Sequence, residues 1–490
     1  MSPVLILGCV LAYSVLLFVV VWITSRNADN NSYFIGNKSS RWYVVAYGMI
    51  GASLSGVTFM SVPGAVFTTQ FSYLQVVFGY LAGYAVIATI LMPVYYKLNL
   101  TSIYTYLEQR FGDVSYKTGS MFFILSRVIG ASFRMYIVVN VLQTFVLDQM
   151  GVPFWVTVTV FIILILLYTY EGGVKTIVWT DTLQTTFMLM ALVFSVVTIC
   201  NQLGLSFGDL IAKVSASDYS KVIVNDFKSP NFFWKNFLGG AAIAIAMTGL
   251  DQEMMQKNLS CKNIGEAKKN MFTFSAILVF VNLLFLVLGA VLCFYATEKG
   301  ITIDPSKTDN LFPGVALNFL GTIPGLMFII GLISAAYPSA DGALTALTTA
   351  FCFDFLGMQK NKNLDEAKRR KIRYTVHISF AVILLLTIVL FRYINNDAVV
   401  RNVFKAAGYT YGPLLGLYTF GFFTKWNVKD KLVWMVCIIS PVICYILNEY
   451  IPVWFNGYKV GFELLILNAM ITFAGLFLIR TNKPVPVAVS

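Results

Sequence analysis

In the stretch SAAYPSADGALTALTTAF, Asp341, Thr345, Thr348 and Thr349 fall at i, i+4, i+7 and i+8. That spacing puts one carboxylate and three hydroxyls on a single face of an otherwise small and apolar helix. Ser339, two residues before the aspartate, lies off that face. A row of hard oxygen atoms suits a small alkali cation and equally a protonatable relay; a stripe hydrogen-bonded to a neighbouring helix is the purely structural alternative. Asp181, in YTYEGGVKTIVWTDTLQ, is a second acidic residue beside hydroxyls, either a cation ligand or a cap at the start of a helix near the membrane surface. Arg134, in GASFRMYIVVNVLQ, carries a charge that cannot be discharged. It requires an acidic partner or water, or it receives a substrate carboxylate through its two-pronged guanidinium. Arg127 lies nearer one end of the same run and is expected to snorkel toward the surface.

These groups demand explanation because of what surrounds them. The chain has 490 residues, 58% hydrophobic and only 12% charged, with a mean hydropathy of +0.75. That balance belongs to a polytopic helical membrane protein, where each charge inside a span costs on the order of several kcal/mol. Thirteen apolar runs of spanning length are expected, at 3–25, 42–67, 73–96, 118–147, 153–170, 178–202, 234–250, 271–295, 318–356, 374–393, 399–424, 432–450 and 460–480. They lack the alternation of an outer-membrane barrel, so an all-α fold follows. The first run has no basic residue before it and no convincing cleavage site, and is read as a retained helix rather than a signal peptide.

The net charge of +12 is a matter of topology. With the N-terminus outside and the C-terminus cytoplasmic, the inner segments hold 23 of the 35 lysines and arginines, including the basic loop KNKNLDEAKRRKIR. A nucleic-acid partner is therefore not expected; the lipid bilayer is. The seven cysteines are scattered without metal-ligand spacing and are expected as small core residues. The single histidine, His377, is expected near the inner end of a helix, and no catalytic constellation points to an enzyme.

Two spans are weakened from within. MIGASLSGVTFMSVPGAV (49–66) carries Gly51, Ser53, Ser55, Gly56, Thr58, Ser61, Pro63 and Gly64, and NFLGGAAIAIAMTGLDQ (236–252) carries Gly239, Gly240 and Gly249. With the first run set aside, these open two blocks of five helices, 42–203 and 234–424. An odd number per block gives the blocks opposite orientation, the pattern of a transporter with discontinuous helices at mid-membrane. Close helix packing is the alternative reading of the glycines. The remaining segments are a leading helix and inside loop (1–41), an outside loop (204–233) and two trailing spans (425–490). LTSIYTYLEQRFG (100–112) is read as a short interfacial helix.

YTYEGGVKTIVWTDTLQ resembles the Gly-Gly…Trp-Thr-Asp…Gln signature of the sodium/solute symporter family, and GLDQEMMQKNLSCKNIGEAKK resembles its loop after the sixth core helix. SLSGVTFMSVPG and LNLTSIYTYLEQRFG are similar to its first core helix and the loop after the second, so the resemblance covers nearly the whole chain. It implies a leucine-transporter-like fold with a 5+5 inverted repeat and 13 transmembrane helices. It also implies Na⁺-coupled transport of a small organic solute by alternating access in the plasma membrane, the bacterial inner membrane for the branch it is most similar to. That branch, the bacterial sialic acid symporters, implies Ser53, Ser55, Thr58 and Arg134 as the substrate positions. A neutral sugar or polyol is the alternative solute, and a channel the alternative class.

The family's shared sodium site implies the carbonyls of Gly51 and Leu54 together with Pro338 and Ser339, where a pair of serines is the family pattern. A proline supplies no hydroxyl, although it frees the carbonyl of Ser334. A second sodium site implies Asp181 with Asp341 and Gly342, a carboxylate standing where the pattern has a serine. Two facing carboxylates would hold Na⁺ strongly or share a proton, so coupling to H⁺ is open at this stage.

Overall fold

The computed structural model describes residues 3–24, 40–100, 102–361, 364–394 and 399–481. The basic residues at 26–39 and 482–490 that contribute to the expected orientation lie outside them, as do the side chains of 170–175 in the family signature. Of the described residues, 83% are helical. The strand pairing described is a two-residue match of Asn427–Val428 with Arg480–Thr481, so the architecture is all-α.

The main helices, numbered along the chain, are α1 (Pro3–Thr24), α2 (Trp42–Ser53), α3 (Gly56–Thr69), α4 (Tyr73–Val86), α5 (Asp113–Leu142) and α6 (Phe154–Gln202). They continue as α7 (Phe233–Ala244), α8 (Gln252–Leu259), α9 (Ile264–Glu298), α10 (Thr322–Ala350), α11 (Glu366–Ile394), α12 (Val399–Thr410), α13 (Gly412–Phe423), α14 (Val433–Trp454) and α15 (Leu464–Leu478). Eight helices among the described residues are long and apolar enough to cross a bilayer, and three more apolar helices are shorter. Large apolar side chains stand exposed on outward faces, Trp22, Leu167, Val453 and Leu478 among them, as a lipid-facing surface requires.

Several boundaries differ from expectation. Residues 154–202 form one helical element, so the inside loop expected at 171–178 is replaced by helix, with apolar halves Phe154–Thr169 and Thr176–Gln202 on either side. The run 399–424 divides at Tyr411, ahead of Pro413. The short helix expected in 100–112 is present at Thr105–Arg110, but it is packed inside: Arg110 donates to the carbonyls of Gly421, Thr424 and Trp426.

Both expected interruptions are breaks. The first falls between α2 and α3 at Leu54 and Ser55. The second lies further along than Gly239 and Gly240: a π-helical turn covers Ile245–Gly249 and the chain leaves the helix at Leu250 and Asp251. The earlier glycine pair serves packing, since a Cβ on Gly240 would overlap the carbonyl of Val76 on α4.

Candidate functional site

A helix end leaves carbonyls on one side and N–H groups on the other without intrahelical partners. At the second break the last two carbonyls and two of the N–H groups are satisfied by the protein. Tyr95 donates to the carbonyl of Gly249 and Tyr104 to that of Leu250, each at 2.9 Å, while Asp251 Oδ1 accepts from the N–H groups of Glu253 and Met254. The first break is different. Leu54 N–H still reaches Ile50, and Phe59 N–H reaches Ser55, but no hydrogen bond among the described residues reaches the carbonyls of Gly51, Ala52, Ser53 or Leu54. Ser55 takes the extended conformation of a helix-capping residue without making the side-chain cap. The first core helix therefore presents free carbonyls from one half and the free N–H end of the other.

A cavity opens at this break, about 730 Å³ of empty space when the adjoining open solvent is included. Ser53, Ser55, Thr58 and Arg134 all line it, so the four residues named from the sequence as substrate positions share one wall system. Sequence reasoning missed the aromatic side: Tyr73, Tyr80 and Tyr84 also line the cavity. Their spacing of i, i+7 and i+11 along α4 marks one helical face and was a usable signal. Asn282 of α9 completes the polar lining; its amide nitrogen donates to Leu278, and its amide oxygen is buried without a partner among the described residues. Arg134 is half-buried, and none of the ion pairs among the described residues includes it.

Arg127 does not snorkel. Its side chain is 4% exposed, and its guanidinium pairs with Glu253 and lies 3.6 Å from Asp251, whose other approach is the Tyr411 hydroxyl at 2.8 Å. The reason is α8: every one of its eight residues is buried, so the polar segment expected as a solvated inner loop turns back into the protein and carries acidic partners with it.

Asp181 is fully buried within α6 and so is not a cap at the surface. Its Oδ2 accepts from the ammonium of Lys257 at 2.7 Å, and the same ammonium lies 3.1 Å from Glu253 Oε1; Asp181 Oδ1 has no hydrogen-bond partner among the described residues. Asp341 does not meet Asp181 directly: its Oδ2 accepts from the Tyr168 hydroxyl at 2.8 Å and its Oδ1 from the Gly342 N–H. The polar stripe below it divides among neighbours. Thr348 meets His377 Nδ1 at 3.0 Å, Thr349 accepts from Gln256 at 3.1 Å, and Thr345 Oγ1 is buried without a partner among the described residues. His377 is thus clamped between Thr348 and Thr169, inside the bundle.

The residues implied for the shared sodium site fit a bare cation. Among the described residues nothing hydrogen-bonds to the carbonyls of Gly51 and Leu54 or to Ser339 Oγ, which is fully buried. Helix α10 continues unbroken through Pro338 and packs against both halves of the broken helix. The placement of Gly51 is tight: a Cβ there would overlap Thr185 Oγ1 on α6. Gly51→Ala is expected to lower stability by about 1–3 kcal/mol, the usual cost of overpacking, and to raise the half-saturating Na⁺ concentration. Adding Thr185→Ala removes the overlapping atom and should recover both values; melting temperatures of the single and double variants across a Na⁺ series check this, and a double variant no better than Gly51→Ala speaks against it.

Residues 33–434 match the model of the sodium:solute symporter family. The chain belongs to this family. Membership makes it a sodium-coupled solute transporter and not an enzyme. The chain is 24% identical to the sodium/sialic acid symporter NanT of Aliivibrio fischeri over 441 residues, 87% of this chain and 84% of the relative. It is 26% identical to sodium-coupled monocarboxylate transporter 2 of Danio rerio over 461 residues, 89% and 70% of the two chains. Its fold is similar to that of a Na⁺-coupled sialic acid symporter solved in a substrate-bound outward-open state, with a TM-score of 0.82 at 19% identity and 98% of each chain covered.

Proposed function

We propose that this symporter couples Na⁺ to the uptake of a small organic anion, a sialic acid being the solute of choice, by alternating access. The observation that carries the reading is Arg134, a half-buried guanidinium that faces the cavity with no acidic partner in the described ion pairs. A partly buried cation left in that position is stabilised by whatever anion enters. The two relatives above support it, since sialic acids and monocarboxylates both present a carboxylate. Ser53, Ser55 and Thr58, with the free N–H end of α3, supply donors and acceptors for the hydroxylated part of such a solute. A neutral sugar or polyol would leave Arg134 unpaired, which disfavours that alternative.

Na⁺ is held in this reading by the carbonyls of Gly51 and Leu54 and the hydroxyl of Ser339, joining the broken helix to α10. Ion binding fixes the geometry of the break, and the break in turn presents Ser53–Thr58 to the solute. Asp181 and Asp341, expected from the sequence to hold a further ion, are taken up below. The reading includes thirteen spans in a leading helix, two inverted blocks of five (42–203 and 234–424) and two trailing helices. It also places the N-terminus outside and the C-terminus in the cytoplasm of a bacterial inner membrane.

Proteoliposomes carrying the full chain test it. With an inward Na⁺ gradient, N-acetylneuraminic acid is expected to accumulate above its external concentration, and replacing Na⁺ with choline should stop accumulation. A channel would equilibrate the solute without concentrating it, and unchanged uptake in choline would remove the sodium coupling.

A further inference from the structure

We propose that the ammonium of Lys257 permanently takes the place of a second coupling cation, so that this chain binds and moves one Na⁺ with each solute. The inference rests on the sodium-symporter reading above and adds the stoichiometry of its ion sites.

Two positions stood ready for a second ion, Asp181 on α6 and Asp341–Gly342 on α10, and the protein's own groups take three of their four carboxylate oxygens, Asp181 Oδ1 alone being without a hydrogen-bond partner among the described residues. Lys257 Nζ donates to Asp181 Oδ2 at 2.7 Å, with the two side chains 3% and 0% exposed. The oxygens of Asp341 are taken by the Tyr168 hydroxyl and the Gly342 N–H. The Glu253 carboxylate lies so near Gly342 that a Cβ on that glycine would overlap it. A sodium ion brought to Asp181 would therefore share its carboxylate with an ammonium, two like charges in a site shielded from water.

The ammonium cannot withdraw easily. Glu253, one turn earlier on α8, holds it from the other side at 3.1 Å, and the whole of α8 is buried, so a displaced Nζ would reach no solvent. Arg127 occupies the far side of Glu253 and keeps that carboxylate from swinging away. The lysine thus compensates Asp181 as a metal ion would, but it is covalently tethered and travels with α8. At the first site, by contrast, none of the hydrogen bonds among the described residues reaches the carbonyls of Gly51 and Leu54 or the hydroxyl of Ser339, and no ion pair among them involves these residues.

Equilibrium binding of radioactive sodium to the purified full chain, with choline as the replacing cation, tests the proposal without any solute. One ion per chain is expected. Lys257→Gln, which strips Asp181 of its partner, should bind two, and the neutral pair Lys257→Gln/Asp181→Asn should return to one. Two ions in the unaltered protein, or one in a folded Lys257→Gln variant, overturns the proposal; the unaltered protein decides alone if that variant does not fold. Zero ions would instead remove the sodium-coupled reading itself. In proteoliposomes, one Na⁺ carried with a monovalent anion moves no net charge, so an inside-negative potential set with valinomycin should leave the initial uptake rate unchanged, and acceleration by that potential counts against the single ion.

Discussion

Arg134→Ala is expected to weaken binding of N-acetylneuraminic acid by at least about thirtyfold, because truncating one member of a desolvated charge pair costs about 2–5 kcal/mol. The effect should be large for two reasons. Arg134 faces the cavity with no ion-paired acid of its own, so the entering carboxylate is its principal counter-charge. The other cationic group lining the cavity, Arg127, is already committed to Glu253 and Asp251 and cannot substitute. Titration calorimetry at saturating Na⁺, run with the acid and with its methyl ester, separates charge recognition from general damage. The ester should bind the native protein weakly and lose little further affinity in the variant. Equal losses for acid and ester would withdraw the anion assignment. Arg134→Lys should fall between, since an ammonium keeps the charge but not the planar two-pronged contact.

Much of this site was legible in the chain, and what was legible shares a physical cause. The lipid environment penalises weak or charged helices, so a span that tolerates Gly51, Ser53, Ser55 and Gly56, or an internal Arg134, announces itself by composition. The location of the second break was less clear, because glycines that allow close packing and glycines near an unwound segment look alike in a linear string. Gly239 and Gly240 are the first kind, and the break follows Gly249.

The acid–base cluster was not legible for a different reason. DQEMMQKNLSCK has the polarity of a solvated loop, and nothing local shows that it folds inward as a buried helix. One clue was available. Arg127 and Asp181 each needed a counter-charge, and Glu253 and Lys257 stand at i and i+4, the spacing of a helical ion pair. Their four-way arrangement is tertiary, and no pattern within either segment specifies it. The same limit explains the long element 154–202, whose central polar residues had marked a loop.

Arg127→Ala should then be among the most destabilising single substitutions in the transporter, on the order of 3–5 kcal/mol, since removing one partner strands a buried charge. Its side chain is 4% exposed and its two acidic partners are 3% and 0% exposed, so water cannot replace the lost guanidinium. The consequence reaches beyond α5, because Glu253 also steadies Lys257 and, through it, Asp181. A sharp fall in melting temperature and a weaker Na⁺ dependence of that temperature are expected together. Arg127→Met/Glu253→Gln removes the closer pair of charges while keeping the volume, leaves Lys257 with Asp181, and leaves Asp251 held by the Tyr411 hydroxyl and the N–H groups of residues 253 and 254, so it should recover most of the stability. Recovery attributes the loss to the stranded carboxylate. A double variant as unstable as Arg127→Ala would place the loss in the packing of the arginine stem, and the ion pair between α5 and α8 would then contribute nothing to holding that side of the cavity closed.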